Sequence, residues 1–390
     1  MRSIVRLFMS SSVIVGAALA MAELFAPNVA VAADAAPFKI GLMLPLSGPG
    51  AGGAAEGGQQ GVALAVKEIN AGRLAARPFE VVTVDDASDP RTASAVCNRL
   101  VLEEKVDAVI SQGATPSRMA CNQVLARAGV PHLAALSGPG GMCIPNLYMI
   151  GPETSQTLLT LIKQAIKDGA GKLYFVGSDY SVIRDVLPVV TKAAEANGAA
   201  VIGSSFSPFG ATDFSSDIGK IAAAKPDIVV MMLVGADAVT FSRQFGSDDR
   251  VKGVKRADFL MTEKVLRSLG AAGGDIYSAA SYFASIPGDA NTAFKAAMRK
   301  EFGDKATPDA WAVMAYNAVY ALARAVATPT SGAKEALEAL PKIQIDGPQG
   351  HIAISGKYIA TPIFVARTSD KGAPDVIASY AEIPPAPHCK

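Results

Sequence analysis

At 390 residues the chain exceeds what one hydrophobic core ordinarily serves, so two domains are expected. A net charge of +1 with 18% charged residues leaves no electrostatic footprint for nucleic acid and no acidic tail. The hydrophobic share is 50%, but much of it is alanine spread through helical patterns, and no run beyond the first few dozen residues is long enough to span a bilayer.

Residues 1–32 read as a secretory leader. Arg2 and Arg6 supply the positive start, Val13 to Ala22 the apolar stretch, and Ala30-Val31-Ala32 the small-x-small cleavage site, so the mature protein begins near Ala33. An N-terminal membrane anchor is the alternative, and the shortness of the apolar run and the alanine-rich segment after it count against that. No cysteine stands at the cleavage site, so nothing points to a lipid anchor. Export places the chain in an oxidising compartment.

The mature chain opens with strand Lys39 to Leu44, a glycine-rich stretch, helix Gln59 to Asn70 and strand Glu80 to Val84. Strand, helix and strand in that order predict a parallel sheet with a right-handed crossover and a crevice at the carboxyl ends of the strands. Ser47 to Gly53 and Asp85 to Asp89 fall there. A helix from Pro90 to about Glu103, strand Asp107 to Ser111 and a helix to Arg127 follow, the last with Thr115 as expected N-cap and Pro116 at its first position. A Gly-Val-Pro segment, the loop Ser137 to Cys143 and a strand near Leu147 to Ile150 end this series.

A second series starts with helix Ser155 to Asp168. It runs through strand Lys172 to Val176, helix Val182 to Asn197, strand Ala200 to Ser204, helix Phe214 to Ala224, strand Asp227 to Leu233, helix Ala236 to Phe245 and strand Asp258 to Thr262. Pro188 should kink its helix or mark a late start. Helices Asn291 to Phe302 and Pro308 to Ala327 have no strand between them, and Ile343 to Tyr380 is strand-like, with turns at Asp346-Gly-Pro and Ser355-Gly. Two α/β lobes result, with the chain passing between them more than once.

The four cysteines, Cys97, Cys121, Cys143 and Cys389, show no CxxC spacing, and the three histidines are scattered, so structural disulfides fit better than a metal site. The helices carrying Cys97 and Cys121 follow successive strands and should lie side by side, which makes these two the first pairing and Cys143 with Cys389 the remainder. Cys121 with Cys143 stays open, since connectivity does not follow from spacing.

The order KIGLMLPLSGPG, KEINAG, VDDASDP, a Gly-Val-Pro loop, GSDY, TDFSSDIGKIAAAKPDIVV, MTEKVL, AYNAVYALARAV and IDGPQG resembles the periplasmic solute-binding proteins of ABC importers for branched-chain amino acids and amides. The resemblance covers essentially the whole mature chain. It implies a type I periplasmic binding protein, a venus flytrap whose α/β lobes, each a mostly parallel sheet flanked by helices, are joined by a hinge of three crossovers. The expected lobes are 36–150 with 284–342, and 151–283 with 343–385. The implied function is capture of a small polar ligand, a branched-chain amino acid first, and its delivery to a membrane permease by a periplasmic monomer with no cofactor and no catalysis. A short amide, urea or an aromatic acid would fit the same frame.

Carried over one residue at a time, the resemblance makes Ser47, Thr115, Ser137, Gly138, Tyr180 and Glu263 ligand-binding candidates. Ser47 would line the cleft, Thr115 would bind the ligand head group, and Ser137 and Gly138 would give loop contacts. Tyr180 would stand over the ligand, and Glu263 would meet its ammonium group. The threonine that many relatives carry near 137–138 has no evident counterpart, and Ser88 stands where the family's usual cysteine follows the paired aspartates. Each candidate also has a plainer part to play. Ser47 and Thr115 suit a turn and a cap, Tyr180 a half-buried packing position, and Glu263 the start of helix EKVLRSLG.

The rival from another class is an NAD(P)-dependent oxidoreductase, because Gly48 to Gly53 satisfies G-x-G-x-x-G between a strand and a helix. Pro49 stiffens that turn, the glycine run continues past the motif, and Asp85 and Asp86 lie further on than the roughly twenty residues such sites use. A hydrolase is weaker still, with no G-x-S-x-G elbow.

Overall fold

The computed structural model describes residues 35–48, 51, 53–179, 181–208, 210–233, 235–258 and 260–386. The first lobe grows from β1 (Phe38–Leu44), buried at every position but Lys39. A strand covered on both faces needs a continuous apolar run rather than alternation. Helix α1 (Gly53–Gly72) leads to β2 (Phe79–Asp85), which pairs in parallel with β1 from Phe38–Phe79 to Leu44–Asp85. Helix α2 (Pro90–Leu102) starts where the Asp89 carboxylate accepts the Thr92 N–H and Pro90 fills the first turn. Strand β3 (Ala108–Ser111), helix α3 (Thr115–Ala128), and strands β4 (His132–Ala134) and β5 (Leu147–Met149) complete a five-stranded parallel sheet of order β2-β1-β3-β4-β5.

The second lobe begins with α4 (Thr154–Lys167) and runs through β6 (Lys172–Ser178), α5 (Ser181–Arg184), α6 (Val186–Ala196), β7 (Ala200–Ser207), α7 (Ser215–Ala224), β8 (Ile228–Met232), α8 (Ala236–Gly246), β9 (Lys255–Asp258), α9 (Glu263–Ser268) and β10 (Ile276–Ala280). Its sheet is parallel in the order β7-β6-β8-β9-β10. Alternate residues serve opposite faces: Leu173 and Phe175 pack with α4 and α6, Tyr174 and Val176 with α7 and α8.

Helices α10 (Asp289–Phe302), α11 (Ala310–Ala325) and α12 (Ala333–Ala339) return to the first lobe, where α11 packs along α1. A Cβ at Gly61 would run into the Ala312 carbonyl, so the glycine-rich start of α1 serves close helix packing. Strands β11 (Gln344–Gly347), β12 (Gly350–Ser355), β13 (Tyr358–Thr368) and β14 (Pro374–Ile383) are antiparallel. Strand β13 pairs with β12 through Tyr358–Ala360 and with β10 through Phe364–Arg367. The chain thus passes between lobes after β5, after β10 and along β13. Hairpin β11–β12, within the segment 343–385 assigned by sequence to the second lobe, buries Ile345, Ile352 and Ile354 in the first-lobe cluster.

Four local expectations are corrected. Thr115 is the first residue of α3, not its cap: Ala114 holds the cap position at φ −56° and ψ 158°, and the Thr115 hydroxyl instead accepts from Arg118 Nη2 at 3.1 Å within the first turn. The strand expected over 258–262 ends at Asp258, because its buried carboxylate accepts the N–H groups of Leu260 and Met261 and turns the chain out of the sheet. The helix expected over 182–197 breaks at Asp185, leaving Pro188 in the first turn of α6, where its missing N–H costs nothing. Strand β10 lies in a segment, 263–290, for which the sequence suggested no strand.

Helices α2 and α3 do lie side by side, and Cys97 and Cys121 form a disulfide between them, Cα–Cα 5.4 Å. Cys143 is also disulfide-bonded, while Cys389 lies outside the described residues. Among the described residues no helix is long and apolar enough to cross a membrane.

Candidate ligand-binding site

A cavity of about 80 Å³ lies where the lobes face each other. One water takes roughly 10–15 Å³ on such a measure, so the space exceeds a single solvent site. The first lobe contributes Ser137, Ala310, Trp311 and Met314, and the second Leu260 to Glu263 with Ala279 to Phe283. The walls are mainly apolar and aromatic, with a few polar groups, as small-solute sites commonly are.

Glu263 reaches the cavity through local chemistry. The turn at Asp258 releases 260–262 from the sheet, Thr262 caps α9 by accepting the Val265 N–H, and Glu263 opens the helix. The Glu263 side chain is only 10% exposed. Its Oε1 accepts from Arg267 Nε and Nη2 at 3.2 and 2.7 Å, and Oε2 accepts the Ala284 N–H at 2.9 Å. Arg267 offsets much of its charge, yet Oε2 keeps acceptor capacity for a further donor. Burial pushes the nearby Asp258 carboxyl up to about 6.

Opposite, Asp309 caps α11 by accepting the Ala312 N–H at 2.9 Å, which sets Ala310 and Trp311 against the cavity. Burial pushes the Asp309 carboxyl up to about 7, and the charge of Glu263 adds to the rise. Tyr282 donates to Asn291 Oδ1 at 2.7 Å, and its phenol is pushed upward by burial with Glu263 and Asp309 contributing.

Of the residues singled out from sequence, the cavity brings Ser137 and Glu263 together. Gly138 is drawn into the crossover: its N–H donates to Pro152 O at 3.3 Å and its carbonyl accepts from Thr154 N at 2.8 Å. Ser47 lies exposed at the end of β1, where its hydroxyl donates to Asp85 Oδ2 at 2.6 Å. Thr115 stands at the end of β3 and is engaged by Arg118. Tyr180 lies outside the described residues, as does part of the glycine motif at 48–53. Sequence reasoning passed over Trp311 and the run Ala279 to Phe283. The β-forming pair Ile276-Tyr277 ahead of an apolar stretch was the available signal for the latter.

The family model for periplasmic binding proteins matches residues 37–373. Among curated relatives, Leu/Ile/Val-binding protein homolog 6 of Brucella melitensis biotype 1 is 24% identical, covering 87% of this chain and 90% of its own. Among solved structures, an ABC-transporter solute-binding protein from R. palustris in complex with benzoate has a TM-score of 0.78 at 23% identity, covering 91% of this chain and 99% of its own. One from Rhodopseudomonas palustris HaA2 with p-hydroxybenzoic acid reaches 0.81 at 23%, over 90% and 98%. The branched-chain amino acid transporter substrate-binding protein of Streptococcus pneumoniae with isoleucine gives 0.74 at 20%, over 90% and 100%. At these identities the structures establish a shared fold, two α/β lobes of type I. With a family model spanning most of its length, the chain belongs to the periplasmic binding protein family.

Proposed function

We propose that the chain captures a small carboxylate-bearing solute with an apolar body, first an apolar α-amino acid, and hands it to the permease of an ABC importer. The observation that carries this reading is Ser137 and Glu263 facing one apolar cavity from opposite lobes. The ligand carboxylate would lie toward Ser137 and Thr115, and the ammonium toward Glu263 Oε2. A ligand that touches both lobes favours the closed arrangement by its binding energy, and the permease would read the closed shape. The lobes would be 36–150 with 284–342 and the hairpin β11–β12, and 151–283 with the remainder of 343–385, in a periplasmic monomer without catalysis, cut near Ala32.

A second reading, an aromatic acid, is favoured by one observation: Glu263 is already paired with Arg267, and Trp311, Tyr282 and Phe283 form the walls. A hydroxyl on the far side of a benzoate ring would then donate to Glu263. Calorimetry with leucine, isoleucine, phenylalanine, benzoate, 4-hydroxybenzoate, acetamide and urea tests both. Binding confined to acetamide or urea would sink the carboxylate reading.

A further inference from the structure

Arg118 on α3 is fully buried, at 0% exposure, and among the described residues it forms no salt bridge, although the Tyr358 phenol lies near enough to favour its charge. Its Nη2 donates to Thr115 Oγ1 at 3.1 Å and approaches Met142 Sδ at 3.8 Å, while Nε and Nη1 have no hydrogen-bond partner among the described residues. A buried cation left so is costly unless something offsets it. Burial lowers its pKa only to about 10, so it stays charged at neutral pH, and His132 beside it, pushed down to about 3 by burial, also feels that charge.

Its position relates this charge to the site. A Cβ at Gly138 would sit 3.5 Å from Arg118 Nη2, so the guanidinium lies directly behind the residue that follows Ser137 on the cavity wall. Thr115 and Ser137 leave the adjacent parallel strands β3 and β4. Because Arg118 donates to the Thr115 hydroxyl oxygen, that hydroxyl keeps its own hydrogen free to donate outward. The N-terminus of α3, capped by no side chain, adds partial positive charge at the same place. The three features lie together past the carboxyl ends of β3 and β4, beside the loop that carries Ser137, and there they favour negative charge over a neutral amide.

We propose that Arg118 sets the preference of the site for a carboxylate over the corresponding amide, acting as a positioning residue through the Thr115 hydroxyl. This rests on the reading that the cavity takes a carboxylate-bearing solute. The test is titration calorimetry of the full mature chain with two acid and amide pairs, leucine with leucinamide and benzoate with benzamide. The wild type should prefer the acid of at least one pair. Arg118→Met and Thr115→Val should each cut the acid-to-amide ratio at least tenfold, and Arg118→Lys should keep most of it. Arg118→Met should melt no lower than wild type without ligand, since an unpaired buried charge is removed. Should that variant not fold, Thr115→Val decides, because it removes the hydroxyl and leaves Arg118 in place. An unchanged ratio in the variants of a wild type that binds the acid overturns this inference alone. A wild type that binds neither acid overturns the underlying reading with it.

Discussion

Lys264 Nζ lies 3.0 Å from Glu56 Oε2, joining the start of α9 in the second lobe to the start of α1 in the first across the mouth of the cleft. The two side chains are 57% and 42% exposed, so solvent and salt screen them and the pair is worth at most about 1 kcal/mol. Lys264→Gln should therefore weaken ligand binding by no more than about fivefold in dilute buffer. The difference should vanish at high salt. Equal affinities for mutant and wild type in dilute buffer would show that the pair does not hold the lobes together.

Trp311 is the chain's one tryptophan and lines the cavity. Its emission should change in intensity or wavelength with any ligand that enters, in step with the calorimetric isotherm. Trp311→Phe should bind with little loss, since an aromatic wall remains, and should give no tryptophan signal. A ligand that binds by calorimetry and leaves the emission unmoved would place binding elsewhere.

Glu263→Gln separates the two ligand readings. In an α-amino acid complex the ammonium loses its charged partner inside a closed cleft, which costs about 2 to 5 kcal/mol. Leucine affinity should thus fall by more than about thirtyfold, while benzoate should change little. The unliganded melting temperature should barely move, because Arg267 is 52% exposed and a glutamine oxygen can still accept the Ala284 N–H. Undiminished leucine binding in the mutant would remove Glu263 from the ammonium site.

How far the sequence revealed this molecule depends on what each segment had to bury. The unit β1–α1–β2 was legible because Phe38 to Leu44 is covered on both faces and the helix alternates a buried with an exposed side. Glu263 was placed at the cleft edge for the wrong local reason, since a side-chain turn at Asp258 reads in sequence as a continued apolar strand. Trp311 and Met314 escaped notice because α11 buries apolar residues toward both core and cavity, and periodicity cannot tell one apolar face from the other. Thr115 looked like a cap because threonine before proline favours extended backbone, and the competing bond from Arg118 is a tertiary fact.

The disulfide Cys97–Cys121 ties α2 to α3 inside the buried cluster between these helices and the first-lobe sheet, and neither cysteine lines the cavity. Closing a separation of 24 residues restricts the unfolded chain by about 3.5 kcal/mol on the entropic account. The double variant Cys97→Ala, Cys121→Ala should melt several degrees lower and keep its ligand affinity. A melting temperature equal to that of wild type would mean the link adds no stability. Lost affinity at full folding would mean that the α2–α3 face communicates with the cleft.

Asp309 gives the site a pH dependence whose sign is fixed by its burial. Its carboxyl is raised to about 7 in the fold, mainly by burial, with Glu263 adding to the rise and Lys264 and the N–H groups of Ala312 and Trp311 opposing it. An unfolded aspartate titrates near 4, so the folded chain holds the extra proton between about pH 4 and 7. The contribution is fully present below about pH 4 and is lost as pH rises through 7. Asp309→Asn keeps the helix cap, since asparagine caps as well as aspartate, and carries no charge to desolvate. Relative to wild type it should gain stability progressively from pH 4 to 7.5, by an amount on the order of a few kcal/mol. A melting-temperature difference that is flat across that range would refute the raised carboxyl. A ligand ammonium seated near Glu263 should also favour the ionised Asp309 and expel its proton. Leucine binding at pH 6.5 should then show an enthalpy that varies with the ionisation enthalpy of the buffer, and Asp309→Asn should abolish that variation.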